Sequence, residues 1–143
     1  MKLTELKVNH ISAPLGFKIT PLSFSWKVED AGKAKKQKWA RLCIFCGENT
    51  VFDSGEDAGA DSLDYQVDLK LLPRTHYSFS VEVMADNGET ATASGSFETG
   101  KMDEKWTAQW ITPDMDAGTP AVLKKTFIAD GKGQARLYIC GLG

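Results

Sequence analysis

Cys43 and Cys46 form a C-x-x-C pattern, which is the spacing used by redox centres and zinc sites. They lie in the apolar segment 39–46, which has the pattern of a β-strand, and residues three apart on a strand point to opposite faces. The sequence has no second C-x-x-C pattern and no paired histidines to complete a tetrahedral zinc site. The third cysteine, Cys140, makes the count odd, which gives no complete disulfide framework and fits a reducing compartment. We therefore predict no metal site and no cofactor.

Acidic side chains in and beside the segment 53–68 could serve glycoside hydrolysis or calcium binding. An inverting glycosidase needs two carboxylates about 6.5–9.5 Å apart, one of them with a raised pKa. These residues lie in or beside a polar loop without apolar cover, so desolvation has no means of raising a carboxyl pKa. Calcium binding is the alternative use of these side chains, but their spacing departs from the D-x-D-x-D-G pattern of calcium-binding loops. We predict no catalytic residue here and a solvated edge that discourages strand-to-strand association. The cluster comprises Asp53, Glu56, Asp57, Asp61, Asp64 and Asp68.

Aromatic side chains offer a third kind of chemistry, because sugars stack on exposed rings. Trp39 and Phe45 share the strand face opposite the predicted core and, with Phe52, are candidate carbohydrate-binding residues. The alternative is that they are buried against the rest of the chain or a neighbouring domain. Trp106 and Trp110 are four residues apart and are interpreted as interdomain packing residues, since aromatic side chains commonly anchor interfaces.

The composition of the 143 residues disfavours two classes of partner. The net charge of −2 leaves no basic surplus to neutralise phosphates, so we expect no nucleic-acid partner. No apolar run approaches the ~20 residues that span a bilayer, so we expect no membrane partner. The lysine-rich segment 33–38 is interpreted as a solvated loop rather than an anion-binding surface. The first eight residues lack the apolar region of a signal peptide, so we expect a cytoplasmic location unless a leader has been removed.

Short strands must position these side chains, because apolar and polar residues alternate repeatedly and turn residues separate the alternating segments. The clearest segment is 77–83, in which every odd position is apolar and every even position is polar. Seven strands in roughly a hundred residues are typical of an immunoglobulin-like antiparallel β-sandwich. The predicted strands are 3–8, 22–28, 39–46, 50–55, 62–69, 77–83 and 90–99.

The segment 71–77 narrows the fold further. It carries Leu-x-Pro-x-Thr-x-Tyr directly before a strand, which is the corner of fibronectin type III domains, where the tyrosine hydroxyl bonds back to nearby backbone. Trp26 on the second strand supplies the large core ring that such sandwiches pack around. Residues 1–100 therefore resemble a fibronectin type III-like β-sandwich.

Residues 101–143 have a different pattern. A charged stretch leads into the aromatic segment 106–111, and two alternating segments, 121–128 and 135–140, follow a loop rich in Asp and Gly. Two or three strands cannot build an independent core. We predict a linker and the first strands of a second, truncated β-sandwich domain; the alternative is that this tail packs on the first sandwich.

Five short motifs, in order along the chain, are similar to the N-terminal region of bacterial α-L-rhamnosidases of glycoside hydrolase family 78. In the second motif Phe52 replaces the usual tryptophan. The motifs are Pro21-Leu22-Ser23-Phe24-Ser25-Trp26, Val51-Phe52-Asp53-Ser54-Gly55, Ser96-Phe97-Glu98-Thr99-Gly100, Trp106-Thr107-Ala108-Gln109-Trp110-Ile111 and Ala135-Arg136-Leu137-Tyr138-Ile139-Cys140-Gly141-Leu142-Gly143.

The resemblance implies a parent enzyme that removes terminal α-linked L-rhamnose with inversion. Its acid and base carboxylates would lie in a helical (α/α)6 barrel beyond residue 143, and none of the family's catalytic motifs has a counterpart in this chain. The resemblance therefore implies a noncatalytic N-terminal structural module whose partners are the remaining domains of the parent enzyme. The alternative is a carbohydrate-binding module that holds rhamnose-containing glycans on its exposed aromatics. A protein-binding adaptor is a third hypothesis, which the segment 106–111 disfavours.

Overall fold

Eight β-strands form the fold, and no helix occurs among residues 1–115, 118, 120–128 and 131–141, which this computed structural model describes. They build a three-stranded sheet in the order β1-β3-β6 and a five-stranded sheet in the order β2-β8-β7-β4-β5. Neighbouring strands are antiparallel except for the parallel pair β2–β8. The predicted immunoglobulin-like, all-β fold is confirmed. The strands are β1 (Lys2–Val8), β2 (Leu15–Phe17), β3 (Leu22–Glu29), β4 (Gln37–Cys46), β5 (Asn49–Asp53), β6 (Tyr65–Val67), β7 (His76–Ala85) and β8 (Thr90–Thr99).

The core is built from the alternating apolar residues of the long strands, as the pattern predicts. On β3, Phe24 and Trp26 are 1% and 4% exposed, so Trp26 is the buried ring expected at this position. Phe24 packs edge-on against Phe79 of β7 and Phe97 of β8, with ring centroids 4.9 Å and 6.0 Å away. Aromatic rings favour this edge-to-face geometry, and the three rings join the two sheets.

The corner before β7 has the hydrogen bond predicted from its motif. The Tyr77 hydroxyl accepts a hydrogen bond from the Leu72 amide at 2.9 Å, and the Tyr77 ring stacks on Phe97 at 5.2 Å. Thr99, which is fully buried, donates its hydroxyl to the Leu72 carbonyl at 2.7 Å and accepts from the Thr75 amide at 2.9 Å. Two side-chain hydroxyls therefore satisfy the backbone of a segment that belongs to neither sheet.

A close backbone approach explains the glycine that follows Thr99. The Gly100 amide donates to the Phe17 carbonyl at 2.8 Å. A Cβ atom at Gly100 would lie 2.1 Å from the Gly16 carbonyl oxygen, which is inside van der Waals contact. Only glycine lets the three-residue strand β2 lie beside the end of β8.

The charged stretch that follows residue 100 belongs to the first compact unit, which is Met1–Trp106. Met102 packs against the core cluster. Two ion pairs hold the neighbouring residues: Lys18 Nζ binds Asp103, and Arg74 Nη2 lies 2.9 Å from Glu104 Oε1.

The second unit, Thr107–Gly143, contains no strand among its described residues. Most apolar side chains of the segments 121–128 and 135–140 are exposed, and the predicted second β-domain stays a prediction. Residues 116, 117, 119, 129, 130, 142 and 143 of that predicted domain lie outside the described residues. Across the described part of the chain, no helix is long and apolar enough to cross a membrane. The strongly exposed apolar residues of the unit include Trp110, Ile111, Val122, Leu123, Phe127, Ile128, Leu137 and Ile139.

Candidate functional site

The outer face of β4 lies beside two of the side chains that the sequence singled out, Cys43 and Asp53. Leu42 and Ile44 of this strand point into the core, so Arg41 and Cys43 point outwards. Cys43 lies between Ser80 of β7 and Asp53 of β5 in the strand register. The sheet therefore brings Arg41, Cys43 and Asp53 together on one surface.

Arg41 and Asp53 form a bidentate ion pair. Arg41 Nε donates to Asp53 Oδ1 at 2.9 Å and Nη2 donates to Oδ2 at 2.6 Å, while the Gly55 amide donates to Oδ1 at 2.9 Å. The hydrogen bonds from Arg41, followed by that from Gly55, hold the pKa of the Asp53 carboxyl well below its usual range. Asp53 raises the pKa of Arg41 in turn. A carboxylate of this kind cannot serve as a general acid near neutral pH.

Ser54 and Gly55 complete the motif that contains Asp53. The Ser54 amide donates to the Leu42 carbonyl at 3.0 Å, and the Leu42 amide donates to the Ser54 hydroxyl at 2.8 Å. The Ser54 hydroxyl replaces the backbone acceptor that a continuing β5 would supply, and Gly55 then turns the chain with a φ of +63°. The motif places the following acidic loop against β4.

Acidic side chains of that loop are used by the loop itself. Asp57 Oδ1 accepts from the Gly59 amide at 2.8 Å, and its Oδ2 accepts from the Tyr65 hydroxyl at 3.0 Å. Asp61 Oδ1 accepts from the Leu63 amide at 2.9 Å. Such bonds from Asp to an amide two residues on stabilise turns. Among the residues that the structure describes, no three His, Cys, Asp or Glu side chains come together as metal ligands.

The two cysteines of the C-x-x-C pattern point in different directions, as the strand geometry predicts. Cys43 lies on the outer face beside Asp53, whereas Cys46 packs against the core cluster. Both are free thiols. Partial burial, reinforced by the negative charge of Asp53, raises the pKa of the Cys43 thiol. A thiol with a raised pKa is a weak nucleophile and metal ligand at neutral pH.

The three candidate carbohydrate-binding aromatics do not share one surface. Trp39 is paired with Met84, and Phe45 with Ser78; both are half-buried residues of the outer face, roughly 20 Å apart along the strand. Phe52 is paired with the buried Ile44 and packs against the core cluster. A binding surface on this face can therefore use Trp39 or Phe45, but the structure places Phe52 elsewhere.

The two tryptophans assigned to interdomain packing belong to different units. Trp106 ends the first unit, and the Lys101 ammonium lies 5.0 Å from its ring centroid, a cation–π distance. Trp106 is 51% exposed. Trp110 belongs to the second unit and is 69% exposed.

A group of exposed apolar residues near the end of β8 was not predicted from the sequence. Leu15, Phe17, Leu72 and Trp106, which we call the exit-end surface, are each at least half exposed. Leu15 and Phe17 lie in β2, which is not among the strands predicted from the sequence. The available signal was the pair of large apolar residues on either side of Gly16.

Comparisons with known proteins identify a family and two solved structures that are similar to the sandwich. A family model described as "Rha78A-like, N-terminal immunoglobulin domain" matches residues 3–103. The chain is similar to the Streptomyces avermitilis α-L-rhamnosidase complexed with L-rhamnose, with 28% identity, a TM-score of 0.70, and coverage of 78% of this chain and 12% of that chain. It is also similar to the α-L-rhamnosidase from Dictyoglumus thermophilum, with 26% identity, a TM-score of 0.67, and coverage of 77% and 14%. The chain thus spans a small fraction of the length of either enzyme. No curated protein matches it.

Proposed function

The chain belongs to the Rha78A-like, N-terminal immunoglobulin domain family, and on that premise we propose that it is a noncatalytic structural module of an α-L-rhamnosidase-like glycoside hydrolase. The observation that carries the proposal is the family match over 3–103, which covers nearly the whole sandwich. The parent enzyme hydrolyses terminal α-L-rhamnosides with inversion, and this module orients and stabilises the domains beside it. The 12–14% coverage of the two rhamnosidases supports a larger parent protein.

The electrostatics of the sandwich support a noncatalytic role. An inverting glycosidase needs a carboxyl group whose pKa is raised, so that it can protonate the leaving oxygen. Asp53 has the opposite property, because Arg41 lowers its pKa. Asp57 and Asp61 accept hydrogen bonds from amides of their own turns. The chemistry of hydrolysis is therefore assigned to other domains of the parent.

The hydrogen bonds around the end of β8 support a role in orientation. Tyr77 and Thr99 bind the backbone of the 71–77 corner, and the Arg74–Glu104 ion pair holds the residues that leave β8. A module that directs its neighbour needs a chain exit with few accessible conformations, since conformational entropy otherwise opposes a fixed orientation. These contacts supply that constraint at the C-terminal end of the sandwich.

An activity measurement tests the assignment directly. The parent enzyme and this chain are assayed separately on an aryl α-L-rhamnoside, and the expected result is hydrolysis by the parent and only background release with the chain. Hydrolysis by the chain above background would contradict the noncatalytic assignment. A parent that hydrolyses other aryl glycosides but not the rhamnoside would contradict the substrate class.

Carbohydrate binding on the outer face of β4 is the second candidate function. It is favoured by Trp39 and Phe45, which flank the Arg41–Asp53 pair on the same face. Titration of the chain with rhamnose-containing oligosaccharides, followed by tryptophan fluorescence, is expected to saturate in the wild type and in Trp106→Ala but not in Trp39→Ala. The absence of a saturable signal at roughly millimolar ligand would leave the structural role alone.

A further inference from the structure

We propose that the exit-end surface, formed by Leu15, Phe17, Leu72 and Trp106, is the face with which this sandwich packs against the next domain of its parent polypeptide. The inference rests on the proposed function, because it requires a parent enzyme in which further domains follow. It assigns the orienting role to four named side chains, three of which were not recognised from the sequence.

The segments that carry Leu15, Phe17 and Leu72 meet at the end of β8. The Gly100 amide donates to the Phe17 carbonyl at 2.8 Å, and the Thr99 hydroxyl donates to the Leu72 carbonyl at 2.7 Å. Trp106 follows six residues later and is held beside Lys101. Thr99 and Gly100 thus anchor the segments that carry Leu72 and Phe17, and Lys101 contacts the ring of Trp106.

The four side chains of this surface are exposed, although the segments that carry them make hydrogen bonds or ring contacts. Leu15, Phe17, Leu72 and Trp106 are 55%, 50%, 58% and 51% exposed. Each belongs to an anchored segment: β2 pairs with β8, the Leu72 amide binds Tyr77, and Lys101 covers one face of the Trp106 ring. Grouped apolar side chains on a soluble domain mark interaction sites. The hydrogen-bonded backbones of β2 and of Leu72 lower the entropy cost of binding a partner.

Charged pairs border the apolar residues. Lys18 directly follows Phe17 and binds Asp103, and Arg74 binds Glu104 two residues before Trp106. An apolar centre with a polar rim is the usual anatomy of a protein–protein interface. Because each of these four charges already has a partner, the rim needs no opposite charge from the incoming domain.

The next domain of the same polypeptide is the occupant favoured by connectivity and by chemistry. The first compact unit ends at Trp106, so the chain leaves the sandwich from within this surface. A domain attached there is present at a high effective concentration. A sugar is disfavoured, because Leu15 and Leu72 offer neither a flat ring nor a hydrogen-bonding group.

The test uses the parent enzyme with the double variant Leu15→Ser/Phe17→Ser and the control Leu63→Ser. Leu63 is 73% exposed and lies in the acidic loop before β6. Hydrogen exchange followed by mass spectrometry is expected to show about tenfold faster exchange across β2 and the end of β8 in the double variant alone. In the isolated 143-residue chain, both variants should unfold at the wild-type temperature, because the substituted side chains are exposed there.

Equal exchange in the double variant and the control of the parent would overturn the proposed surface. Conversion of a parent dimer to a monomer by the double variant would identify a second copy as the occupant and would also overturn it. Rhamnosidase activity of the wild-type parent is recorded in parallel. An active wild-type parent with unchanged hydrogen exchange in the double variant would contradict the proposed surface alone. Faster exchange in the double variant of a parent without rhamnosidase activity would contradict the proposed function alone.

Discussion

Two clusters of hydrogen bonds hold loops onto this sandwich, and they differ in how far water reaches them. At the end of β8, Thr99 is fully buried and Tyr77 is 2% exposed, and their hydroxyls bind the backbone of the 71–77 corner. On the outer face of β4, the paired side chains of Arg41 and Asp53 are 44% and 36% exposed. Both clusters contain a motif that carries the resemblance to rhamnosidases.

Burial decides what each cluster contributes. Removing one partner of a buried hydrogen bond leaves the other unsatisfied, which costs about 1–3 kcal/mol. Exposed ion pairs are screened by water and salt, and many contribute nothing measurable. The corner around Thr99 should therefore govern the free energy of unfolding, whereas the Arg41–Asp53 pair should govern its dependence on pH.

The largest effect is expected from Gly100→Ala, since the new methyl group would meet the Gly16 carbonyl oxygen at 2.1 Å. Relief requires β2 to move away from β8, and we expect a loss of about 3 kcal/mol in the free energy of unfolding by urea. The control is Gly59→Ala, whose new Cβ would lie 3.4 Å from an Asp57 oxygen, an ordinary contact. A change as small in Gly100→Ala as in this control would show that the close approach is not tight.

Thr99→Val should have the next largest effect, because it keeps the shape and removes the hydroxyl. The Thr75 amide loses its partner and the Leu72 carbonyl loses a donor, so we expect a loss of about 2 kcal/mol in the same urea experiment. Thr92→Val is the matched control, as Thr92 lies exposed in the same strand and should change stability by less than about 0.5 kcal/mol. Equal losses of stability in the two variants would contradict the conclusion that the Thr99 hydroxyl makes buried hydrogen bonds.

The sequence predicted the corner well because its signals are local. The alternation in 77–83 placed Tyr77 in the core, and the motif around it indicated the bond to nearby backbone. The hairpin between β7 and β8 turns at Asn87-Gly88, a local turn sequence, where Gly88 adopts a φ of +87°. These features depend on residues within a few positions of one another, so no knowledge of the tertiary fold was needed.

Other features could not be predicted from the sequence, because residues far apart along the chain determine them. Strand β2 is three residues long and too short to show alternation; it forms because Gly100 admits the backbone beside β8. Phe52 was placed with the surface aromatics, but its pairing with Ile44 turns it toward the core. A register shift between Ile44 and Phe45 sets that pairing, and a five-residue strand does not reveal such a shift in its own sequence.

Tyr77→Phe and Tyr65→Phe compare the two clusters through one chemical change. Tyr77 accepts from a backbone amide in the core, whereas the Tyr65 hydroxyl binds the partly exposed Asp57. We expect losses of about 1 kcal/mol for Tyr77→Phe and about half of that for Tyr65→Phe, measured by urea unfolding at neutral pH. A larger loss for Tyr65→Phe would reverse the proposed ranking of the clusters.

The smallest effect at neutral pH, and the one that separates the clusters most clearly, is expected from Asp53→Asn. Because folding lowers the pKa of Asp53 from its ordinary 3.8, the unfolded chain takes up this proton first as the pH falls. The stability that Asp53 contributes is therefore fully present above about pH 5 and is lost progressively below about pH 4. Unfolding by urea at a series of pH values should show a shallower acid decline in Asp53→Asn than in the wild type. An unchanged slope in Asp53→Asn would mean that the Arg41–Asp53 pair is already broken by solvent in the native state.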